Sequence, residues 1–245
     1  MKVLAYTNFG LKYDHNEDSY LIDGVAFNDK NTQRNDDDVY SVAVFDGVGG
    51  ANAGEIASIT AAQEMCKRLT ATSSDEDIKD ALQQANESVL RRASEQNSMH
   101  GMACTAVGLL LRKDGITAYN VGDSRVYKIK SGMMMQISTD DSYENYLIKE
   151  YGERLESSAG NHTITACLGT QNFRKEDVHI NVFSAIAEGE RYFLCSDGVT
   201  DYIDIDDLED VLLSNCSFEE MSREIHRHVY ENGAKDNFTF IILEK

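Results

Sequence analysis

Aspartates recur at the ends of apolar runs in this chain, each beside residues that let the backbone turn. The three longest instances are Val44-Phe45-Asp46-Gly47-Val48-Gly49-Gly50, Asn120-Val121-Gly122-Asp123-Ser124-Arg125 and Phe193-Leu194-Cys195-Ser196-Asp197-Gly198-Val199-Thr200-Asp201. Asn16-Glu17-Asp18 and Lys235-Asp236-Asn237 precede two further apolar runs. Taken singly, Asp-Gly at a strand end is an ordinary turn signal. Taken together, they point to carboxylates gathered on the rim of a sheet structure. Such carboxylates repel by on the order of 4 kcal/mol per close pair at intermediate dielectric, and divalent cations offset that cost. Oxygen donors without histidine or thiolate are hard ligands and favour magnesium or manganese over zinc or copper. The glycine after Asp46 lets a backbone carbonyl approach an ion closely. Two such ions about 3.5–4 Å apart share a water, lower its pKa and clamp both oxygens of an in-line phosphoryl displacement. Metal-assisted phosphoester hydrolysis is the chemistry this pattern suggests.

Competing motifs fail on inspection. Gly49-Gly50-Ala51-Asn52-Ala53-Gly54-Glu55-Ile56 has P-loop glycine spacing but Glu-Ile where Lys-Ser/Thr must stand. Gly47-Val48-Gly49 is followed by Asn52 at the third glycine position of a dinucleotide fingerprint. No cysteine is followed at the sixth position by arginine, so a thiolate-nucleophile phosphatase loop is absent. His226 and His228, two apart on an expected helix, face different directions and do not pair as ligands. The acidic stretch Asn28 to Asp38, with Asp36 to Asp38 in a row, lacks the glycine and closing glutamate of a calcium loop and reads as a solvated turn. Met133 to Met135 read as local packing.

The elements that must position the acids follow from patterning. Runs rich in β-branched and aromatic residues read as strands at Val3–Thr7, Ser19–Phe27, Val39–Phe45, Thr105–Leu111, Ile116–Val121, Arg125–Ile129, Val178–Phe183, Arg191–Cys195 and Phe238–Leu243. Apolar residues at three- and four-residue steps predict helices over Gly54–Leu69, from an N-cap at Ser74 with Asp77 to about Asn97, and over Phe218–Tyr230, with shorter ones near 140–150 and 206–213. Very short links, Arg112-Lys113-Asp114-Gly115 and Gly122-Asp123-Ser124, join three successive strands as antiparallel hairpins rather than βαβ units. The expected fold class is α+β: an antiparallel β-sandwich of two packed sheets with helices on both outer faces, in four α-β-β-α layers.

Composition narrows the partners. The 245 residues hold 23 Lys+Arg against 42 Asp+Glu, a net charge of −19, which disfavours nucleic acid and anionic membrane and leaves cations attractive. The longest apolar stretches, such as Val39–Phe45 and Ala106–Leu111, fall far short of the roughly 20 residues that span a bilayer. The N-terminus shows no secretory leader, and five dispersed cysteines without C-x-x-C spacing suit reduced thiols rather than disulfides or a zinc site, so the cytoplasm is expected. With no proline and no linker-like tract, residues 1–245 are expected to form a single domain and a monomer.

At these residues the sequence resembles the metal-dependent protein phosphatase family, or protein phosphatase 2C, especially its compact bacterial branch. The resemblance runs through Asn16-Glu17-Asp18-Ser19, Phe45-Asp46-Gly47-Val48-Gly49-Gly50, Thr105-Ala106, Asn120-Val121-Gly122-Asp123-Ser124-Arg125, Ile164-Thr165, Leu168-Gly169, Leu194-Cys195-Ser196-Asp197-Gly198 and Asp236-Asn237, in the family's order. It implies a binuclear Mg²⁺/Mn²⁺ site on the rim of a β-sandwich. Asp46 would bridge the metals, the Gly47 carbonyl and Glu17 would serve one, Asp197 and Asp236 the other, and Asp18 would act through water. A third, weaker ion would fall to Asp123, Asp197 and Asp201. The implied reaction is hydrolysis of phosphoserine or phosphothreonine in proteins by a metal-activated water, without a phosphoenzyme. The implied partners are phosphorylated proteins, substrates of a Ser/Thr kinase.

Three departures bear on activity. Tyr13 stands four residues before Glu17, where the family usually has a phosphate-holding arginine, with Lys12 beside it as the candidate substitute; a lysine supplies point charge but no bidentate fork. Val48 replaces a histidine that many eukaryotic members carry. Thr139-Asp140-Asp141-Ser142 stands where Asp-His-Ser is common, and the segment on to Thr163, the substrate-facing flap in relatives, is short. The alternatives are a catalytically weak or inactive family member acting as a phosphoprotein-binding or regulatory module, and the same chemistry on another phosphoester.

Overall fold

The computed structural model describes residues 1–36, 38–48, 53–152 and 163–245. Among the described residues, fourteen strands run in chain order: β1 (Lys2–Asn8), β2 (Ser19–Ile22), β3 (Val25–Phe27), β4 (Thr32–Asn35), β5 (Ser41–Phe45), β6 (Gly47–Val48), β7 (Ala103–Cys104), β8 (Ala106–Leu111), β9 (Gly115–Val121), β10 (Arg125–Lys130), β11 (Met133–Gln136), β12 (His179–Ser184), β13 (Arg191–Cys195) and β14 (Phe238–Glu244). The helices are α1 (Gly54–Arg68), α2 (Asp75–Ala93), α3 (Tyr143–Tyr151), α4 (Asp197–Thr200), α5 (Ile205–Leu213) and α6 (Phe218–Glu231).

One sheet has the order β11-β10-β13-β14-β1-β4 and the other β12-β9-β8-β5-β2-β3, and every pairing in both is antiparallel. Alternation along the strands sorts side chains between three apolar layers. Val3, Ala5, Tyr192, Leu194, Ile241 and Leu243 of the first sheet meet Tyr20, Ile22, Val42, Val44, Val107 and Leu109 of the second. The intervening residues face outward. Leu4, Phe193, Phe240 and Ile242 pack with Leu208, Leu212, Met221, Ile225 and Val229 of α5 and α6. On the other side Leu21, Ala43, Phe45 and Tyr119 pack with Ala57, Met65, Leu82 and Val89 of α1 and α2. The four-layer order expected from the patterning is therefore observed.

The capping expected at Ser74 is present: its hydroxyl accepts from the Asp77 N–H, and Asp77 accepts from the Ser74 N–H at 2.6 Å. The helix it starts ends at Ala93, sooner than the apolar stripe suggests, with a separate 3-10 turn at Asn97–Met99. Three stretches differ in kind from the sequence reading. Ser19–Phe27 is a hairpin, not one strand, turning at Asp23-Gly24 with φ of 49° and 76°, the left-handed pair that Asp-Gly favours in two-residue loops. The acidic stretch read as a turn contains β4, an edge strand paired to β1. Its alternation is polar on both faces, which hides the period. Met133–Gln136 likewise forms an edge strand on β10, with Met133 and Met135 exposed and Met134 against the α5–α6 layer. Asp37, Gly49, Gly50, and residues 153–162 of the expected flap lie outside the described residues.

Candidate metal centre

The site lies at one end of the sandwich, where strands from both sheets finish. Asp46 follows β5 of one sheet and Asp197 follows β13 of the other. Asp123 sits in the turn between β9 and β10, Glu17 and Asp18 lie just before β2, and Asp236 just before β14. The first turn after Asp197 is the short helix α4, in which the Asp201 N–H donates to the Asp197 carbonyl at 2.8 Å. That turn brings Asp201, which is exposed, within electrostatic reach of Asp197 and Asp123.

Buried polar contacts fix these loops. Thr105 clamps Asp46 from both sides: its Oγ1 accepts from the Asp46 N–H at 3.1 Å and its N–H donates to the Asp46 carbonyl at 2.8 Å. The same hydroxyl meets Ser124 Oγ at 2.7 Å, tying the Asp46 and Asp123 loops together. Asn237 does comparable work across the chain ends. Its Oδ1 accepts from the Glu17 N–H at 2.7 Å, and its Nδ2 donates to the carbonyls of Phe9 and His15. Ser58 of α1 donates to the Glu17 carbonyl at 2.6 Å. Gly47 and Gly54 pass so closely that a Cβ on Gly54 would stand 2.7 Å from the Gly47 carbonyl oxygen and 3.0 Å from Glu17 Cδ. Only a bare Cα leaves space where that carbonyl and that carboxylate converge.

The electrostatics are those of crowded acids. Burial and the neighbouring Asp197, Asp18 and Asp123 hold the Asp46 carboxyl well above the usual range, and Asp46 shares a side-chain hydrogen bond with Asp197. Burial, with Asp123 and Asp201 nearby, lifts Asp197 to about 8. Burial lifts Asp18 to about 7, against the donation from Ser196, and lifts Asp123 to about 6. Glu17 is raised by burial, opposed by His15. Asp236 adds its field to both Asp18 and Asp197.

Among the described residues, the cationic side chains near the cluster make their direct bonds mostly elsewhere. Arg125 binds Asp140 through Nε at 2.8 Å and Nη2 at 2.7 Å. Lys12 is exposed, donates to the Tyr13 hydroxyl at 2.8 Å and feels the charge of Asp236. Asp18 is 1% exposed, accepts from Ser196 Oγ at 2.8 Å through Oδ2, and its buried Oδ1 meets no donor among the described residues. An orphaned buried oxygen amid carboxylates that repel one another suits a site for a divalent cation. The donor set is all oxygen, and it fits magnesium or manganese.

Every acid singled out from the sequence thus arrives at this rim: Glu17, Asp18, Asp46, Asp123, Asp197, Asp201 and Asp236, with the Gly47 backbone among them. Lys12 stands at its edge. Sequence reasoning assigned no role to Thr105, Ser196 or Asn237, which position the acids, nor to His15 and Glu55 beside Glu17. The paired histidines dismissed as ligands are indeed apart. His226 bonds the Tyr6 hydroxyl at 2.6 Å and stacks on Tyr230, whereas His228 faces Asp207.

Comparison with known proteins converges on one family. A family model described as protein phosphatase 2C matches residues 18–239. The serine/threonine phosphatase stp of Listeria welshimeri is 28% identical over 250 residues, covering 98% of this chain and 94% of its own length. The crystal structure of serine/threonine phosphatase Stp1 from Staphylococcus aureus superposes with a TM-score of 0.83 at 26% identity, covering 99% of this chain and 94% of that one. The catalytic domain of the serine/threonine protein phosphatase PstP, solved in complex with two manganese ions, has a TM-score of 0.81 at 23% identity and covers 100% of this chain and 99% of its own.

Proposed function

Since the chain belongs to the protein phosphatase 2C family, we infer that it is a metal-dependent protein serine/threonine phosphatase hydrolysing phosphoserine and phosphothreonine at a binuclear Mg²⁺ or Mn²⁺ site. The observation that carries this reading is the convergence of Asp46 and Asp197 from opposite sheets onto one hydrogen bond, with Asp18, Asp123 and Asp236 in electrostatic contact around them. Two manganese ions in the PstP domain are in line with it. At that identity the likeness speaks for the fold, and the oxygen donors of this chain carry the metal assignment.

Asp46 lies centrally enough to be shared by two cations. The Gly47 carbonyl and Glu17 would complete one, and Asp197 with Asp236 the other. Asp18, held by Ser196, would orient water at the cluster, while Asp123, Asp197 and Asp201 form a more open acid group suited to a third ion. When bound, the ions supply a water of lowered pKa and neutralise charge on the phosphoryl oxygens. The chain's own residues hold the acids in place, and Lys12 offers an exposed positive charge at the edge of the cluster for the substrate phosphate. Val48 offers no proton to the leaving hydroxyl. Phosphoproteins made by a Ser/Thr kinase are the proposed substrates, with residues 1–245 working as one monomeric catalytic unit in the cytoplasm. Among the described residues no helix is long and apolar enough to cross a membrane.

The test is hydrolysis of p-nitrophenyl phosphate and of a phosphothreonine peptide, with Mn²⁺ added or chelated, by the wild type and by Asp46→Asn. Metal-dependent turnover of the peptide, lost in the variant, supports the reading. A wild type silent on both substrates while binding the phosphopeptide would support instead the role of a phosphoprotein-binding module, for which Tyr13 in place of an arginine is the motivating feature. Turnover of the small ester alone would point to another phosphoester.

A further inference from the structure

His15, Glu17 and Glu55 meet at the edge of the carboxylate cluster, and one potential ligand atom from each lies within 4.8 Å of the other two. His15 and Glu17 come from the loop between β1 and β2, and Glu55 from the first turn of α1. The imidazole is oriented from behind, with Nδ1 2.9 Å from Asp14 Oδ1. An ionised carboxylate only accepts, so Nδ1 carries the proton. Nε2 is thereby turned towards Glu17 Oε1, at 3.4 Å, and an ion bound there takes the place of the proton that the ring otherwise shares with that carboxylate. A carboxylate behind an imidazole is how proteins fix the tautomer and direction of a metal-binding histidine. Zinc bonds of ~2.0–2.1 Å to nitrogen and oxygen place two tetrahedral ligands about 3.3–3.4 Å apart. The His15–Glu17 pair already stands at that separation, and the half-buried Glu55 has rotatable bonds enough to close the remaining distance.

We propose that His15, Glu17 and Glu55 form a further transition-metal site of one nitrogen and two oxygens, adjoining the carboxylate cluster through Glu17, which takes a Zn²⁺-class ion in preference to Mg²⁺. Imidazole suits zinc and copper, whereas Mg²⁺ keeps to oxygen and water. Glu17 belongs to both this site and the all-oxygen cluster. An ion held by His15 therefore draws Glu17 away from its partners at Gly47, and Zn²⁺ opposes the Mg²⁺- or Mn²⁺-loaded state.

The experiment uses the full chain, stripped of metal and held in excess Mg²⁺, titrated with Zn²⁺ by calorimetry, and separately loaded with one equivalent of Cu²⁺ for electron paramagnetic resonance. The expected result is a Zn²⁺ equivalent, beyond those taken by the carboxylate cluster, whose affinity falls ~tenfold or more in His15→Gln and in Glu55→Gln. Asp197→Asn retains that equivalent, and a single-nitrogen coupling to Cu²⁺ is present in wild type and absent from His15→Gln. Circular dichroism confirms that each variant is folded, and Glu55→Gln supplies the reading should His15→Gln not be. Zn²⁺ affinity changed less than threefold in both variants, or a nitrogen coupling that survives His15→Gln, overturns the proposal. Because Asp197→Asn removes phosphatase chemistry and leaves this site, failure of the site and failure of the enzymatic reading are told apart.

Discussion

Asp46 and Asp197 are joined by a side-chain hydrogen bond although one follows a strand of one sheet and the other a strand of the opposite sheet. Two carboxyl groups can bond directly only if a proton lies between them. Two buried carboxyl groups facing each other this way are stabilised either by a shared proton or by a cation among their oxygens. That exchange of proton for metal governs the behaviour expected of the protein.

Stability of the metal-free chain should fall as pH rises. Asp18, Asp123 and Asp197 reach about 7, 6 and 8 in the folded state, against 3.8 for an ordinary aspartate. An acid whose folded pKa is raised binds protons more tightly when folded, so its contribution is fully present below the unfolded value and is lost as pH climbs through the folded one. Urea midpoints measured in chelator should decline between about pH 4 and pH 8. A midpoint that rises across that window contradicts the buried acid cluster.

Cations should abolish that slope and stabilise the fold. At a hundredfold excess over Kd, binding contributes about 2.7 kcal/mol, which for a chain of this size raises Tm by roughly 5–10 °C. Thermal melts with and without Mn²⁺ at pH 7.5 check this, and Asp46→Asn should lose most of the shift. A Tm insensitive to Mn²⁺ would mean that the cluster holds no such ion.

Ser196→Ala should cost about 1–3 kcal/mol in urea unfolding at pH 7.5. The buried hydroxyl donates to Asp18 and accepts from the Thr239 N–H at 3.0 Å, so its loss leaves two buried groups short of partners. A change below about 0.5 kcal/mol would show that Asp18 does not depend on it.

The fold was legible where one side of a strand faces an apolar layer. Val3–Thr7 and Arg191–Cys195 alternate between the inter-sheet core and the helix layer, and they appear as strands in the sequence. Thr32–Asn35 is polar on both faces, and three successive methionines in Met133–Gln136 show no alternation, so neither edge strand displays a strand period in the sequence. Asp46, Asp123 and Asp197 were legible because each follows an apolar strand and sits beside a glycine, whereas Asp201, at the end of α4, was reached only through the family resemblance. Thr105 and Asn237 were not legible, because a hydroxyl or amide reveals its role only through the partner it finds far along the chain.

Gly54→Ala tests the geometry around Gly47. At the first residue of α1 alanine carries no propensity penalty relative to glycine. Its Cβ would nevertheless stand 2.7 Å from the Gly47 carbonyl oxygen, pushing apart the two groups proposed to share an ion. Calorimetry should show Mn²⁺ affinity lowered ~tenfold or more, and an unchanged affinity would remove the Gly47–Glu17 pair from the site.

Lys12→Ala should raise KM for a phosphothreonine peptide while leaving kcat within about threefold, because an exposed ammonium adds point charge to phosphate binding. Steady-state kinetics decide this, and an unchanged KM takes Lys12 out of substrate binding.

The central claim is that acids from both sheets jointly hold adjacent divalent ions, and anomalous diffraction at the manganese edge from Mn²⁺-loaded crystals tests it most directly. The account predicts two peaks about 3.5–4 Å apart, with Asp46 touching both and Asp197 and Asp236 touching one. Density empty at that rim, with Asp46 and Asp197 still hydrogen-bonded to each other in the presence of Mn²⁺, would contradict it.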